Sequence, residues 1–183
     1  MKEFLKKLKN WLEWYPTLSI LLTITITIIF LSQPPEAVYE YGLFWGFVPE
    51  EPWRLVTSHF IHIEETHFLM NALGVIILGG LLELTGVKRK YILLGIGMSI
   101  ITTNIAILAV QIFRPSIVGG FSGVIYGFVG MLVSIVGWGG IIALGAWFFG
   151  FGFLFLGENI AWSAHIGGFI GGLIVGKIIE NKT

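Results

Sequence analysis

The chain has no cysteine and no aspartate, and it carries few charges of either sign. Without cysteine there is no disulfide framework, no thiol nucleophile and no thiolate metal site, and the redox state of the compartment leaves no mark. Without aspartate, chemistry that needs an aspartate pair is excluded. Lys and Arg together number 11, as do the acidic residues, so the net charge is zero and no basic face is available for nucleic acid. Charged residues make up 12% of the 183 positions, against about a quarter in soluble domains.

Apolar residues fill the space left by those absences. They make up 55% of the chain, glycine occurs 25 times and the mean hydropathy is +0.86. The expectation is one polytopic, all-α integral membrane domain over residues 1–183 in a lipid bilayer. The N-terminus does not read as a cleavable signal, because Trp11, Glu13, Trp14, Tyr15 and Pro16 separate its lysines from the first apolar run.

Six spans are expected, each needing about 20 mostly apolar residues to cross the hydrocarbon core. They run over about 16–32, 66–84, 91–113, 122–137, 140–156 and 161–179. Trp11, Trp14 and Tyr15 anchor the first at the interface, and Pro34-Pro35 stops it. Residues 33–65 are too polar to span and too apolar for a tether, so they read as a structured interfacial loop between the first two helices.

Basic residues set the orientation. Lys2, Lys6, Lys7 and Lys9 precede span one, Lys88-Arg89-Lys90 follows span two, and Lys177 and Lys182 lie at the end of the chain. The positive-inside bias places both termini and the 88–90 loop in the cytoplasm. His67, Ser122 and His165 then all fall at the outer ends of their helices, at a common depth.

Ser122 sits in Gly120-Phe121-Ser122-Gly123, where glycines permit a tight turn and a close approach. A helix N-terminus offers unpaired N–H groups and a positive dipole end, suited to an oxyanion formed by attack from Ser122. The same small residues also serve plain helix packing. His165, in Ala164-His165-Ile166-Gly167-Gly168, is the candidate base, beside a close-packing face that includes Gly168, Gly171 and Gly172. With no aspartate, with Glu83 about four turns away at the other end of span two, and with Glu158 only a weak candidate, a Ser-His dyad oriented by packing is expected. Tyr126, four residues after Ser122, is on the right face to stack on the imidazole. His67 and Asn71 form an i, i+4 pair of hydrogen-bond donors, and a donor aimed at an oxyanion is worth about 2.7–4 kcal/mol. A polar pair that joins helices is the alternative. His59, His62, Glu64, Glu65 and His67 are crowded, but their spacing does not put two histidines one turn apart beside a glutamate, so no metal and no cofactor are expected.

These residues resemble the rhomboid family of intramembrane serine proteases in its compact six-helix prokaryotic form. The resemblance runs from Trp53 onward and rests on Trp53-Arg54, His67-x-x-x-Asn71, Gly79-Gly80 with Glu83, Gly120-Phe121-Ser122-Gly123 with Tyr126, and Ala164-His165-x-x-Gly168-x-x-x-Gly172. It implies a rhomboid-like six-transmembrane-helix bundle, with Ser122 as nucleophile and His165 as base. His67, Asn71 and the Ser122 N–H would form the oxyanion site, and Tyr126 would pack on the histidine. Trp53 and Arg54 would brace the first loop, Glu83 would stabilise the bundle, and Trp147 on span five would lie at a lateral substrate gate. The implied activity is cleavage of single-span membrane proteins at the extracytoplasmic side of the cell membrane. The alternative is a catalytically silent relative that binds transmembrane segments. A soluble N-terminal domain and a seventh span are not expected, and Glu64 and Glu65 make the segment before His67 more acidic than a membrane-dipped loop would be.

Overall fold

In a computed structural model of the chain, the structure describes residues 16–137, 145 and 161–181, and these are helical with short loops. The helices are α1 (Thr17–Ser32), α2 (Ala37–Tyr41), α3 (Arg54–Thr57), α4 (Glu65–Gly74), α5 (Gly80–Leu84), α6 (Arg89–Gln111), α7 (Ser122–Val136) and α8 (Trp162–Glu180). A π-helical turn, Val75–Gly79, joins α4 and α5 into a single rod over Glu65–Leu84. Five expected spans coincide with helices to within two residues at each end; span five, apart from residue 145, and with it Trp147, lies outside the described residues, as does Glu158. Among the described residues, three helices are long and apolar enough to cross a membrane: Glu65–Leu84, Arg89–Gln111 and Trp162–Glu180. This is a multi-pass membrane protein. Helices α1 and α7 are shorter, at 16 and 15 residues.

Helix α7 lies at the centre, with Val124, Ile125, Phe128 and Met131 all essentially inaccessible. Helix α1 is peripheral and turns Leu21, Ile28 and Leu31 outward, as lipid contact permits. Its N-cap, Pro16, makes no side-chain hydrogen bond to its first turn. Glu83 caps that turn instead, accepting from the N–H groups of Leu18 (3.1 Å) and Ser19 (2.8 Å) and from the Ser19 hydroxyl (2.8 Å). Those N–H groups are orphan donors of a helix N-terminus, and the carboxylate, itself buried, answers two of them. Arg89 Nε pairs with the same carboxylate at 3.1 Å, so Glu83 joins α1 to the start of α6.

Helix α8 is held between α6 and α7 by two glycine stripes. A Cβ on Gly168 or Gly172 would overlap the backbone carbonyl of Gly123 or Gly127 on α7, and one on Gly167 or Gly171 would strike Thr102 on α6. These backbones approach as closely as they do because no side chain separates them.

The 33–64 connection is ordered by polar side chains reaching into it. Arg54 is buried; Nη1 donates to the carbonyls of Tyr39 and Gly42, each at 2.8 Å, while Nε pairs with Glu51 and the guanidinium lies over the Phe47 ring at 4.7 Å. Arg54 is the brace of this loop. The Trp53 ring is half exposed.

Candidate active site

Ser122 is the first residue of α7, and the geometry before it is set by Gly120, whose φ of +126° is a conformation that side chains rarely adopt. A second constraint acts at the same residue: a Cβ there would lie 2.6 Å from His67 Cε1 and 2.8 Å from Nε2. The 117–121 loop is laid against the first loop by Gly120 N–H to the Ser58 carbonyl (2.9 Å) and by an antiparallel bridge between Leu43 and Val118.

His165 lies in the first turn of α8, and its Nε2 is 3.0 Å from Ser122 Oγ. The glycine stripe produces this distance, because Gly168, one turn on, rests on Gly123, the residue after the serine. Thr103 on α6 adds a tie, donating to the Ala164 carbonyl at 3.1 Å. Tyr126 stacks on the imidazole with ring centroids 4.1 Å apart and planes 11° from parallel, and Trp162 meets the ring nearly perpendicularly at 5.9 Å. His165 Nδ1 is buried with no hydrogen-bond partner among the described residues. Among the described residues, ring packing by Tyr126 and Trp162 is what holds the imidazole.

His67 and Asn71 occupy one face of α4 and both border Gly120, Asn71 Nδ2 lying 3.4 Å from the position a Cβ would take. Asn71 is buried and its Nδ2 has no partner among the described residues, so a donor is left available beside the serine loop. A cavity of about 440 Å³ opens here, lined by Ser122, His165, His67, His59, Glu64 and Thr103 among others. Glu64 brings a carboxylate to the cavity edge.

Of the crowded histidines before and at the start of α4, His59 is tied to α6. His59 Nε2 is 3.1 Å from Asn104 Oδ1, and Asn104 Nδ2 donates to the Leu55 carbonyl at 2.7 Å. The amide oxygen must then accept, so His59 Nε2 carries the hydrogen. Burial pushes the His59 pKa down to about 4, the Asn104 bond offsetting only part of that effect.

Several residues that hold the site together carry only a weak sequence signal. Gln111, at the end of α6, donates through Nε2 to the carbonyls of Leu43 (3.0 Å) and Ser116 (2.6 Å) and accepts from Trp45 N–H (2.8 Å), tying the two loops together. Asn104 and Trp162 are of the same kind. A polar residue inside a span is the available clue, and Asn104 and Gln111 both carry it.

The rhomboid-domain pattern matches residues 49–182. A Bacillus subtilis (strain 168) protein named rhomboid protease YdcA is 26% identical over 190 residues, covering 95% of this chain and 94% of that protein. The rhomboid protease GlpG of Salmonella paratyphi A is 31% identical over 171 residues, covering 84% of this chain and 59% of the relative, so the chain spans well under two thirds of that protein. With its family pattern spanning most of the sequence, this chain belongs to the rhomboid family.

Proposed function

We propose that the chain is an intramembrane serine endopeptidase that cleaves single-span membrane proteins in or near their transmembrane segment. The observation that carries this reading is the 3.0 Å contact between His165 Nε2 and Ser122 Oγ, at the edge of a cavity that also holds His67. In the reaction, Ser122 Oγ attacks a peptide carbonyl carbon as its proton passes to His165 Nε2. The oxyanion is met by His67, Asn71 and the N–H of Ser122, at the positive end of α7. Collapse breaks the C–N bond, and His165 returns the proton to the departing amine. Water then gives a proton to His165 and attacks the acyl-serine ester, and Ser122 recovers its hydrogen as the acid product leaves.

A bundle of six spans is part of the proposal, with residues 1–183 as one rhomboid membrane domain and the fifth span over 140–156. The length of α7 supports a recessed site. Its 15 residues extend only about 22 Å at 1.5 Å per residue, less than the hydrocarbon core of about 30 Å. With its C-terminal end at the cytoplasmic face, Ser122 would lie below the opposite surface, and the cavity would admit the water that hydrolysis needs. The charge bias supports cytoplasmic termini and a site opening outward. Because the chain is free of cysteine, Lys90→Cys provides a single reporter, which should react with an impermeant maleimide in inverted vesicles and stay silent in intact cells.

Purified protein and a model single-span substrate test the chemistry. Ser122→Ala and His165→Ala should each lower cleavage by at least about a thousandfold, and a fluorophosphonate should label Ser122. Equal cleavage by wild type and Ser122→Ala would refute the reading and favour a silent binder of transmembrane segments.

A further inference from the structure

His62 has no part in the chemistry above, yet it is fully buried five residues before His67. Its backbone is clamped to the end of α1 from both directions. Gln33 Nε2 donates to the His62 carbonyl at 2.5 Å, and His62 N–H donates to Gln33 Oε1 at 3.2 Å. The ring meets Phe30 of α1 at 6.3 Å, Phe68 of α4 at 5.7 Å and His67 at 5.3 Å, each nearly perpendicular, and Phe30 and Phe68 stack on each other at 4.2 Å. Neither imidazole nitrogen makes a well-formed hydrogen bond among the described residues, the Phe60 backbone offering the ring only a partial one.

Two nitrogens without a well-formed partner in an aromatic enclosure are a poor arrangement for stability, since an apolar ring of similar shape would avoid their desolvation. A buried polar group of this kind asks for a reason outside stability. The geometry supplies one. His62 contacts one side of His67, while the Cε1–Nε2 tip of His67 borders Gly120 and the serine loop. Burial, and then the neighbouring His67, push the His62 pKa down to about 3, with the Phe60 backbone offsetting part of this, so His62 is neutral at working pH. A neutral polar ring can support His67 as a donor to an oxyanion without setting a second cation beside it.

We propose that His62 is a positioning residue for His67, its polar ring holding and polarising His67 as a donor toward the site in front of Ser122. The inference rests on the hydrolytic reading given above. His62→Phe keeps an aromatic ring and removes both nitrogens. It should raise the melting temperature of the purified protein while lowering kcat about tenfold and leaving KM within about twofold. A His67→Ala background completes the cycle: there His62→Phe should lower kcat no further. Full kcat in His62→Phe, or an equal loss in the presence and absence of His67, would overturn the inference. So would a kcat loss that simply follows a lower melting temperature. His62→Leu, read through the same cycle, serves if the phenylalanine ring does not fit. Serine labelling by a fluorophosphonate separates the two readings, since it tests the nucleophile whatever the His62 cycle returns.

Discussion

Helices α7 and α8 meet backbone to backbone, Gly168 on Gly123 and Gly172 on Gly127. Helix α1 and the residue after it instead meet α4, α5 and the loop before them through side chains, with Glu83 on the first turn of α1, Phe30 on Phe68 and Gln33 on His62. Lipid is as apolar as leucine, so neither seam is driven by apolar burial alone. The first uses close packing and the second uses hydrogen bonds and ring contacts. Backbone contact leaves no rotamer by which the helices can shift apart, and it is the seam that carries Ser122 and His165. Side-chain contacts can be exchanged singly, and that seam carries the donors around His67.

The most severe way to break this comparison is Gly168→Ala, whose Cβ would overlap the Gly123 carbonyl. It should cost about 3 kcal/mol or more, and the remaining folded protein should lose turnover because the serine and histidine are forced apart. Thermal unfolding paired with fluorophosphonate labelling checks both effects. Gly97→Ala on α6, with none of the described residues within 4 Å of the added carbon, is the control and should gain about 0.5–1 kcal/mol.

A cut in the other seam should be milder and of another kind. Glu83→Ala strips the first turn of α1 of its acceptor and leaves Arg89 without this partner, at about 2–3 kcal/mol. Turnover per folded molecule should stay near wild type, since Ser122 and His165 do not touch this end. A proportional fall in kcat would mean that the two seams are coupled.

The smallest expected effect is a pH dependence confined to the first loop. His59 is neutral in the fold with a pKa of about 4, below its ordinary 6.5, so the unfolded chain binds more protons between these values. Stability from this residue is complete above about pH 6.5 and declines as pH falls toward 4. His59→Gln should flatten that part of a melting-temperature profile measured from pH 7 to 4, and an unchanged profile would rule out His59 as its source.

Much of the site is legible in the sequence because a membrane converts composition into depth. Apolar runs mark the spans, and Lys/Arg bias brings His67, Ser122 and His165 to one end. The stacking of Tyr126 on His165 follows from its i+4 spacing to Ser122. Glu83 is recognisable as a bundle carboxylate through family resemblance, but its partners Leu18, Ser19 and Arg89 are not. Gln33, Asn104 and Gln111 leave still less trace, since their partners lie 29, 49 and 66 residues away. His62 reads from the sequence only as one member of a crowded histidine group.

The sequence by itself determined the helices, their approximate ends and the kinds of side chain available, because bilayer length and backbone hydrogen bonding leave few other choices. Tertiary structure alone decided which glycine meets which, and hence the 3.0 Å between Ser122 and His165. It also decided which buried nitrogens, those of Asn71, His62 and His165 Nδ1, lack a well-formed partner among the described residues. Packing register depends on contacts between residues far apart in the chain, and periodicity along one helix carries no record of the neighbour it will meet.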